Sequence, residues 1–249
     1  MPKLSIITTC YNAQDYLKDS LDSVFNQPFT DFELILVDDC STDDSKKIMA
    51  QYVDRPEVIL LENEHNEGVP VSRNRALLAA KGQYIAIHDA DDISLPHRFS
   101  TEVQFLDSHP SVTFMGGYAI KINHAGSMIG SMVYPPKTTE DAFKVIIRFK
   151  LNPIIDPTCM FRREDILKLG AYSMEPELRT VQDFHLWCRL LVNGHKLANL
   201  SEPLIKYRIN PEGVTRTRQQ EMLEATDMVW ASFKRKNFPD MKLRPDYFN

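Results

Sequence analysis

Apolar residues fall in short bursts along the first hundred positions, and their period alternates between that of a strand and that of a helix. The run LSIITTC (Leu4–Cys10) is apolar and bounded by polar residues, as a buried strand requires. From Ala13 the period lengthens. Tyr16, Leu17, Ser20, Leu21, Val24 and Phe25 share a helical face, and Pro28 stops the helix. FELILVDD reads as a second strand, after which Ser41 and Asp43 offer N-caps for a helix carrying Ile48, Met49, Tyr52 and Val53 on one side. EVILLE is a third strand, PVSRNRALLAAKG a helix closed by Gly82, and QYIAIHD a fourth strand. This β-α-β-α-β-α-β order predicts an α/β fold, a parallel sheet with helices on both faces.

The pattern changes character past Pro96. RFSTEVQFLDSHP is helical, with Phe99, Val103 and Leu106 aligned. VTFMGGYAIKINHAGSMIGSMVYPP reads as extended segments around an Ala-Gly turn, followed by a helix near EDAFKVIIRFK and the Pro-rich stretch LNPIIDPTCMFRRED. QDFHLWCRLLVNG is a helix stopped by Gly194, EPLIKYRI a late strand, and Thr217 to Lys236 a final helix. The expected division is residues 1–110, 111–215 and a helical tail 216–249, all within one two-part domain.

Composition narrows the class. The 249 residues are 43% hydrophobic and 25% charged, with a net charge of -5, so bulk positive charge for gripping nucleic acid is absent. No apolar run reaches membrane-spanning length, and the N-terminus lacks the long apolar core of a secretory signal. Cys10, Cys40, Cys159 and Cys188 show neither pairing nor metal-ligand spacing, which suggests reduced thiols in a cytoplasmic protein.

The candidate chemistry lies at the strand ends. Asp38-Asp39 closes the second strand, and Asp89-Ala90-Asp91-Asp92 follows the fourth. Ligands of parallel α/β sheets sit outside the carboxyl ends of the strands. Side chains two apart in extended backbone point the same way, so Asp89 and Asp91 converge. A divalent cation, Mg2+ or Mn2+, would relieve that crowding and take phosphate oxygens as further ligands. His88 and His185 flank key acids, but as adjacent residues they point away and are left out of the metal site. Trp187 could stack on a sugar, though an aromatic at helical spacing is more often core.

Read in order, SIITTCYNAQDYLKDSLDSVFNQ, ELILVDDCSTDDS, NEGVPVSRNRAL, GQYIAIHDADDISLP, GAY and QDFHLWCRLL resemble the motifs of a family 2 glycosyltransferase with the GT-A fold. The resemblance runs from about Ser5 to about Arg208, most of the chain. It implies a mostly parallel sheet flanked by helices, with a smaller acceptor-binding second half. Thr9 and Tyr11 would border the nucleotide base, Asp39 would accept a hydrogen bond from it, and Asp38 would support that loop. Arg73 would contact the nucleotide, Asp89 the ribose or sugar, and Asp91 the metal on the diphosphate. Asp183, at the start of a helix whose dipole would keep it ionised, would be the catalytic base.

The implied reaction is inverting transfer from a nucleotide-diphosphate sugar, commonly a UDP-sugar, to an acceptor hydroxyl on a glycan or lipid-linked glycan. The implied cofactor is Mn2+ or Mg2+. A peripheral membrane contact through the tail is a further expectation. Two positions depart from the family pattern. Gln182 stands where Glu is frequent, and Asn210 where a histidine often follows the YR pair. Arg208, Arg216 and Arg218 offer positive charge in compensation. A QxxRW pattern is absent, which favours single transfer over processive synthesis. Two rivals remain: an inactive homologue that binds nucleotide sugar, and an Mg2+-dependent domain that forms an aspartyl-phosphate.

Overall fold

Alternation along the central strands decides where the core lies. In the computed structural model, which describes residues 1–210, 213 and 217–237, strand β1 is Leu4–Cys10, β2 Phe32–Asp38, β3 Val58–Glu62 and β4 Tyr84–Ile87. Leu4, Ile6, Leu34, Leu36, Tyr84 and Ala86 face one layer; Ile7, Ile35, Val37, Ile85 and Ile87 face the other. Both faces of these strands are apolar, as a sheet covered on both sides demands. Helices α1 (Gln14–Phe25) and α4 (Arg98–Ser108) cover the first face through Leu17, Leu21, Val24, Phe99, Val103 and Leu106. Helix α3 (Val69–Ala79) covers the second through Ala76 and Leu77.

The sheet has eight strands in the order β3-β2-β1-β4-β7-β6-β8-β5. Strands β3 through β4 are mutually parallel, matching the sequence expectation. Beyond β4 the sheet turns mixed. Strand β7 (Met160–Arg162) runs antiparallel between β4 and β6 (Val112–Ile122), while β6 pairs in parallel with β8 (Lys196–Arg208) and the two-residue β5 (Ile93–Ser94) closes the edge. The extended segments around Ala125-Gly126 fold back on β6, where Ile122 bridges Met128 and Ala119 bridges Val133.

The second half adds α5 (Thr139–Phe149), α6 (Arg163–Lys168), α7 (Gln182–Val192) and α8 (Gln219–Asn237). Helix α8 lays Ala225, Val229, Trp230 and Phe233 on the core that holds Ile7, Ile35 and Trp187. Trp187 is fully buried and stacked on Phe114, so it is a packing residue and not a sugar platform. Among the described residues no helix is long and apolar enough to cross a membrane.

Three local expectations are revised. Helix α2 covers only Ser45–Met49, and Val53 is exposed rather than buried. Asp43 does accept the Ser45 N–H at 2.9 Å, though the residue preceding the helix is Asp44. Gly82 does not end α3, which stops at Ala79. Its place is set by contact: a Cβ there would lie 2.4 Å from Ser5 N, so only hydrogen fits.

Candidate active site

The parallel strands aim their carboxyl ends at one edge, with Cys10 beside Asp38 at the last rung and Ile87 beside Ile7. Thr9 is half-buried near that edge, and Tyr11, 49% exposed, stands just outside it. Asp38 is fully buried. It accepts the Ser41 N–H at 3.2 Å and lies 3.6 Å from Lys46 Nζ, holding the loop after β2. Asp39 accepts from Asn63 Nδ2 at 2.7 Å, Glu67 N at 2.9 Å and Gly68 N at 2.8 Å. Two of these reach Oδ1 and one reaches Oδ2, so Oδ2 keeps an acceptor position.

Arg73 is buried, which excludes the surface role open to an arginine on a helix. Its Nη2 donates to Asp89 Oδ1 at 3.0 Å, and its Nη1 lies 2.6 Å from Asp156 Oδ2. The guanidinium also sits over the Tyr172 ring. A single cation therefore ties the carboxylate just past the end of β4 to a second carboxylate in the short 3-10 turn Asp156–Thr158.

Asp91 is pushed up to about 6, first by burial and then by the charge of Asp89, with Asn210 and Arg208 pulling the other way. Asn210, the departure from the family pattern, thus reaches the Asp91 carboxylate. Asp92 is buried deeper and raised by burial, then by Asp91 and Asp89. Its Oδ1 accepts the Arg208 N–H at 2.7 Å. Arg208 spends its side chain on the backbone, donating Nε to the Asp91 carbonyl at 2.8 Å and Nη1 to the carbonyls of Asn123 and His124. These bonds lock the acidic loop, and the guanidinium charge acts on Asp91. Arg218 is paired on the surface with Glu221, and Arg216 lies outside the described residues.

Asp183 sits in the first turn of α7 and accepts from Asn152 Nδ2 at 2.5 Å. The dipole does not prevail there. Burial raises Asp183, and the Phe184 N–H, Arg73 and Asn152 only moderate it. A carboxylate with raised affinity for protons is a better acceptor for a hydroxyl proton than an ordinary surface acid. Asp156 is likewise pushed up to about 7 by burial, against the pull of Arg73 and with the charges of Asp183 and Asp89 adding to the rise.

The family model described as Glycosyl transferase family 2 matches residues 5–170, two thirds of the chain. The chain belongs to this family. Curated relatives match it over nearly its whole length. It is 32% identical to a Bacillus subtilis protein assigned to teichuronic acid biosynthesis as the glycosyltransferase TuaG, over 95% of this chain and 90% of that one. It is 26% identical to the Escherichia coli UDP-Glc:alpha-D-GlcNAc-diphosphoundecaprenol beta-1,3-glucosyltransferase WfaP, over 92% and 86%. Among solved structures, Staphylococcus aureus TarS 1-349 with UDP-GlcNAc superposes with a TM-score of 0.70 at 21% identity, covering 96% of this chain and 73% of that one. The mannosyltransferase PcManGT of Pyrobaculum calidifontis with GDP-Man and Mn2+ gives 0.65 at 17%, over 97% and 76%. These two likenesses establish the GT-A architecture. Family membership also removes the aspartyl-phosphate rival.

Two residues in contact with the candidate site escaped the sequence. Asp156 and Asn152 lie in the Pro-rich LNPIIDP stretch, where no period marks a face. The one available signal was an acid flanked by Ile155 and Pro157 in an otherwise apolar segment. His88 is buried in the core, joined to Ser20 at 2.8 Å and Ser94 at 3.1 Å, and burial lowers it to about 3.

Among the described residues no three His, Cys, Asp or Glu side chains gather as a cation site. The donor set still fits a diphosphate-bound cation. Such an ion needs only one or two carboxylates, the phosphates and water supplying the rest. Asp91 carries a penalty from Asp89 that a cation would remove.

Proposed function

We propose that this glycosyltransferase moves a sugar from a nucleoside-diphosphate donor, with UDP as the nucleoside diphosphate, to a hydroxyl of a glycan or lipid-linked glycan, with inversion and with a divalent cation. The observation that carries the reading is the Arg73 bridge. One buried guanidinium holds Asp89, at the carboxyl end of a strand where ligands of α/β sheets sit, and Asp156, which feels the charge of Asp183. On this reading Asp89 serves the donor and Asp183 the acceptor, with Arg73 and Asp156 between them.

Each residue has a defined task. Tyr11 offers an exposed ring to the base, and the free Oδ2 position of Asp39 suits a uracil N–H. Asp89, held by Arg73, orients the ribose or sugar hydroxyls. Asp91 would hold the cation, Mn2+ or Mg2+, which when bound supplies Lewis-acid stabilisation of the departing diphosphate. Asp183 Oδ1 takes the proton of the acceptor hydroxyl while that oxygen bonds to the anomeric carbon. The electron pair of the broken glycosyl bond leaves with the nucleoside diphosphate. Asn152 fixes the other oxygen of Asp183, so the attacking hydroxyl meets one defined lone pair.

Relatives point the same way on substrate class: WfaP is named for a UDP-glucose donor and a diphosphoundecaprenol-linked acceptor, and TarS is seen with UDP-GlcNAc. Asn210 touching Asp91 argues against the inactive-homologue reading, because the departing position still serves the acidic loop. Incubation with a panel of UDP-, GDP- and TDP-sugars, with and without Mn2+, tests the proposal. Metal-dependent release of UDP from one sugar supports it. Release that is equal in the Asp183→Asn variant counts against it.

A further inference from the structure

A groove of about 590 Å3 opens beside the proposed base, bounded by segment 133–137, α5 and the 151–155 loop. Asn152 lines it, and the same side chain donates to Asp183 Oδ2 at 2.5 Å. Asn152 thus stands between the groove and the carboxylate that would activate the acceptor. Its size suits part of a small-molecule ligand.

The walls are wrong for a sugar alone. Tyr134, Val145, Leu151 and Ile155 line the groove with Pro135 and Pro136, which bring no N–H donors. Tyr134 and Leu151 are 59% and 58% exposed, large apolar faces left to water in the free chain. Tyr118 meets Tyr134 edge-on with ring centroids 4.8 Å apart, which steadies that wall. A pyranose needs hydrogen-bonding partners on its edges, and few are free here. Asp141 is engaged by Thr138 and Lys144, and Asn152 by Asp183. Lys137 is the lining residue whose ammonium is unengaged among the described residues, a cation beside an apolar trough.

We propose that this groove receives the apolar chain of a lipid-diphosphate acceptor, with Lys137 as counter-charge to its phosphates and the attached sugar presenting its hydroxyl to Asp183. The inference rests on the glycosyl-transfer reading and commits it to a lipid-linked substrate. The acceptor named for WfaP has that architecture. Each methylene shielded from water is worth about a fourfold gain, so a few of them give on the order of a 100-fold preference.

The test uses two acceptors that differ only in the chain: N-acetylglucosaminyl diphosphate esterified with methyl or with a long unbranched alkyl group. The readout is the ratio of kcat/KM values, with the donor found in the nucleotide-sugar panel. The ratio is expected to favour the alkyl ester on the order of 100-fold. It should fall at least about tenfold in the Tyr134→Ser/Leu151→Ser double variant and persist in Leu78→Ser, an exposed apolar position on α3. A ratio near one, or one untouched by the double variant, overturns the proposal. Where neither ester is used, calorimetric binding of the long-chain alkyl diphosphate below its micelle concentration decides instead. Weaker binding by the double variant supports the groove, and equal binding refutes it. UDP binding in the same instrument reports separately on the parent reading. A dimer that the same substitutions dissolve would assign the groove to a second copy and also overturn the proposal.

Discussion

Replacing Arg73 with methionine removes the cation at the centre of the site while keeping most of its apolar stem. Arg73 is 3% exposed and lies 3.0 Å from Asp89 and 2.6 Å from Asp156. Stripping one partner from a buried ion pair leaves an uncompensated charge, at a cost of about 3–5 kcal/mol. Asp156, 12% exposed, bears most of that cost, whereas Asp89 is 33% exposed and screened by solvent. A net loss of about 3 kcal/mol is the expectation, which for a chain of this size lowers Tm by roughly 6–12 °C. The sign with pH follows from Asp156. Its folded-state value is raised already, to about 7, and rises further without Arg73. The deficit is therefore larger at about pH 8, above that value, keeps growing until the variant's own raised value is passed, and shrinks towards about pH 5, where the carboxylate enters the native state protonated. Thermal and urea unfolding at both pH values measure this, and Arg73→Lys, which keeps charge but not the fork, should fall between. A Tm within about 2 °C of the parent at the higher pH, or an equal deficit at both, would refute the clamp, given the slope expected for this size.

Four further outcomes are expected. Asp183→Asn should lower kcat by about 10²–10⁴-fold with donor affinity kept, read by steady-state kinetics and nucleotide titration. Asn152→Ala removes a donor that stabilises the ionised Asp183, so the acid limb of the kcat–pH profile should move to higher pH; an unmoved limb would show that the contact does not tune the base. Stability of the ligand-free chain should fall as pH rises from about 4 to about 7, because Asp91, Asp156 and Glu102 are raised to about 6, 7 and 7 in the folded state; urea midpoints across that window measure it. Gly82→Ala should cost about 1–3 kcal/mol, because its Cβ would press on the Ser5 and Leu4 backbone, which cannot swing away.

The first half of the fold was legible because burial on both faces writes continuous apolar runs, and helices between them carry a different period. Leu4–Cys10, Phe32–Asp38 and Tyr84–Ile87 fell where expected for that reason. Strands β5 and β7 were not legible. They are two and three residues long, too short to show a period, and their pairing depends on partners far along the chain. The site divided in the same way. Asp38, Asp39, Asp89 and Asp91 follow strand ends, so position alone marked them. Asp156 and Asn152 act through contacts with Arg73 and Asp183 that join residues far apart in sequence, and only the folded chain brings them together. Arg208 was read as spare charge; the backbone carbonyls that claim it belong to the acidic loop and the Asn123-His124 turn.

Titrating UDP into the protein calorimetrically, first with Mn2+ and then with EDTA, tests the central claim most directly. Saturable one-site binding that requires the cation and is weakened in Asp91→Asn is the expected result. Binding of equal strength in EDTA, or no binding of UDP in either condition, would contradict it.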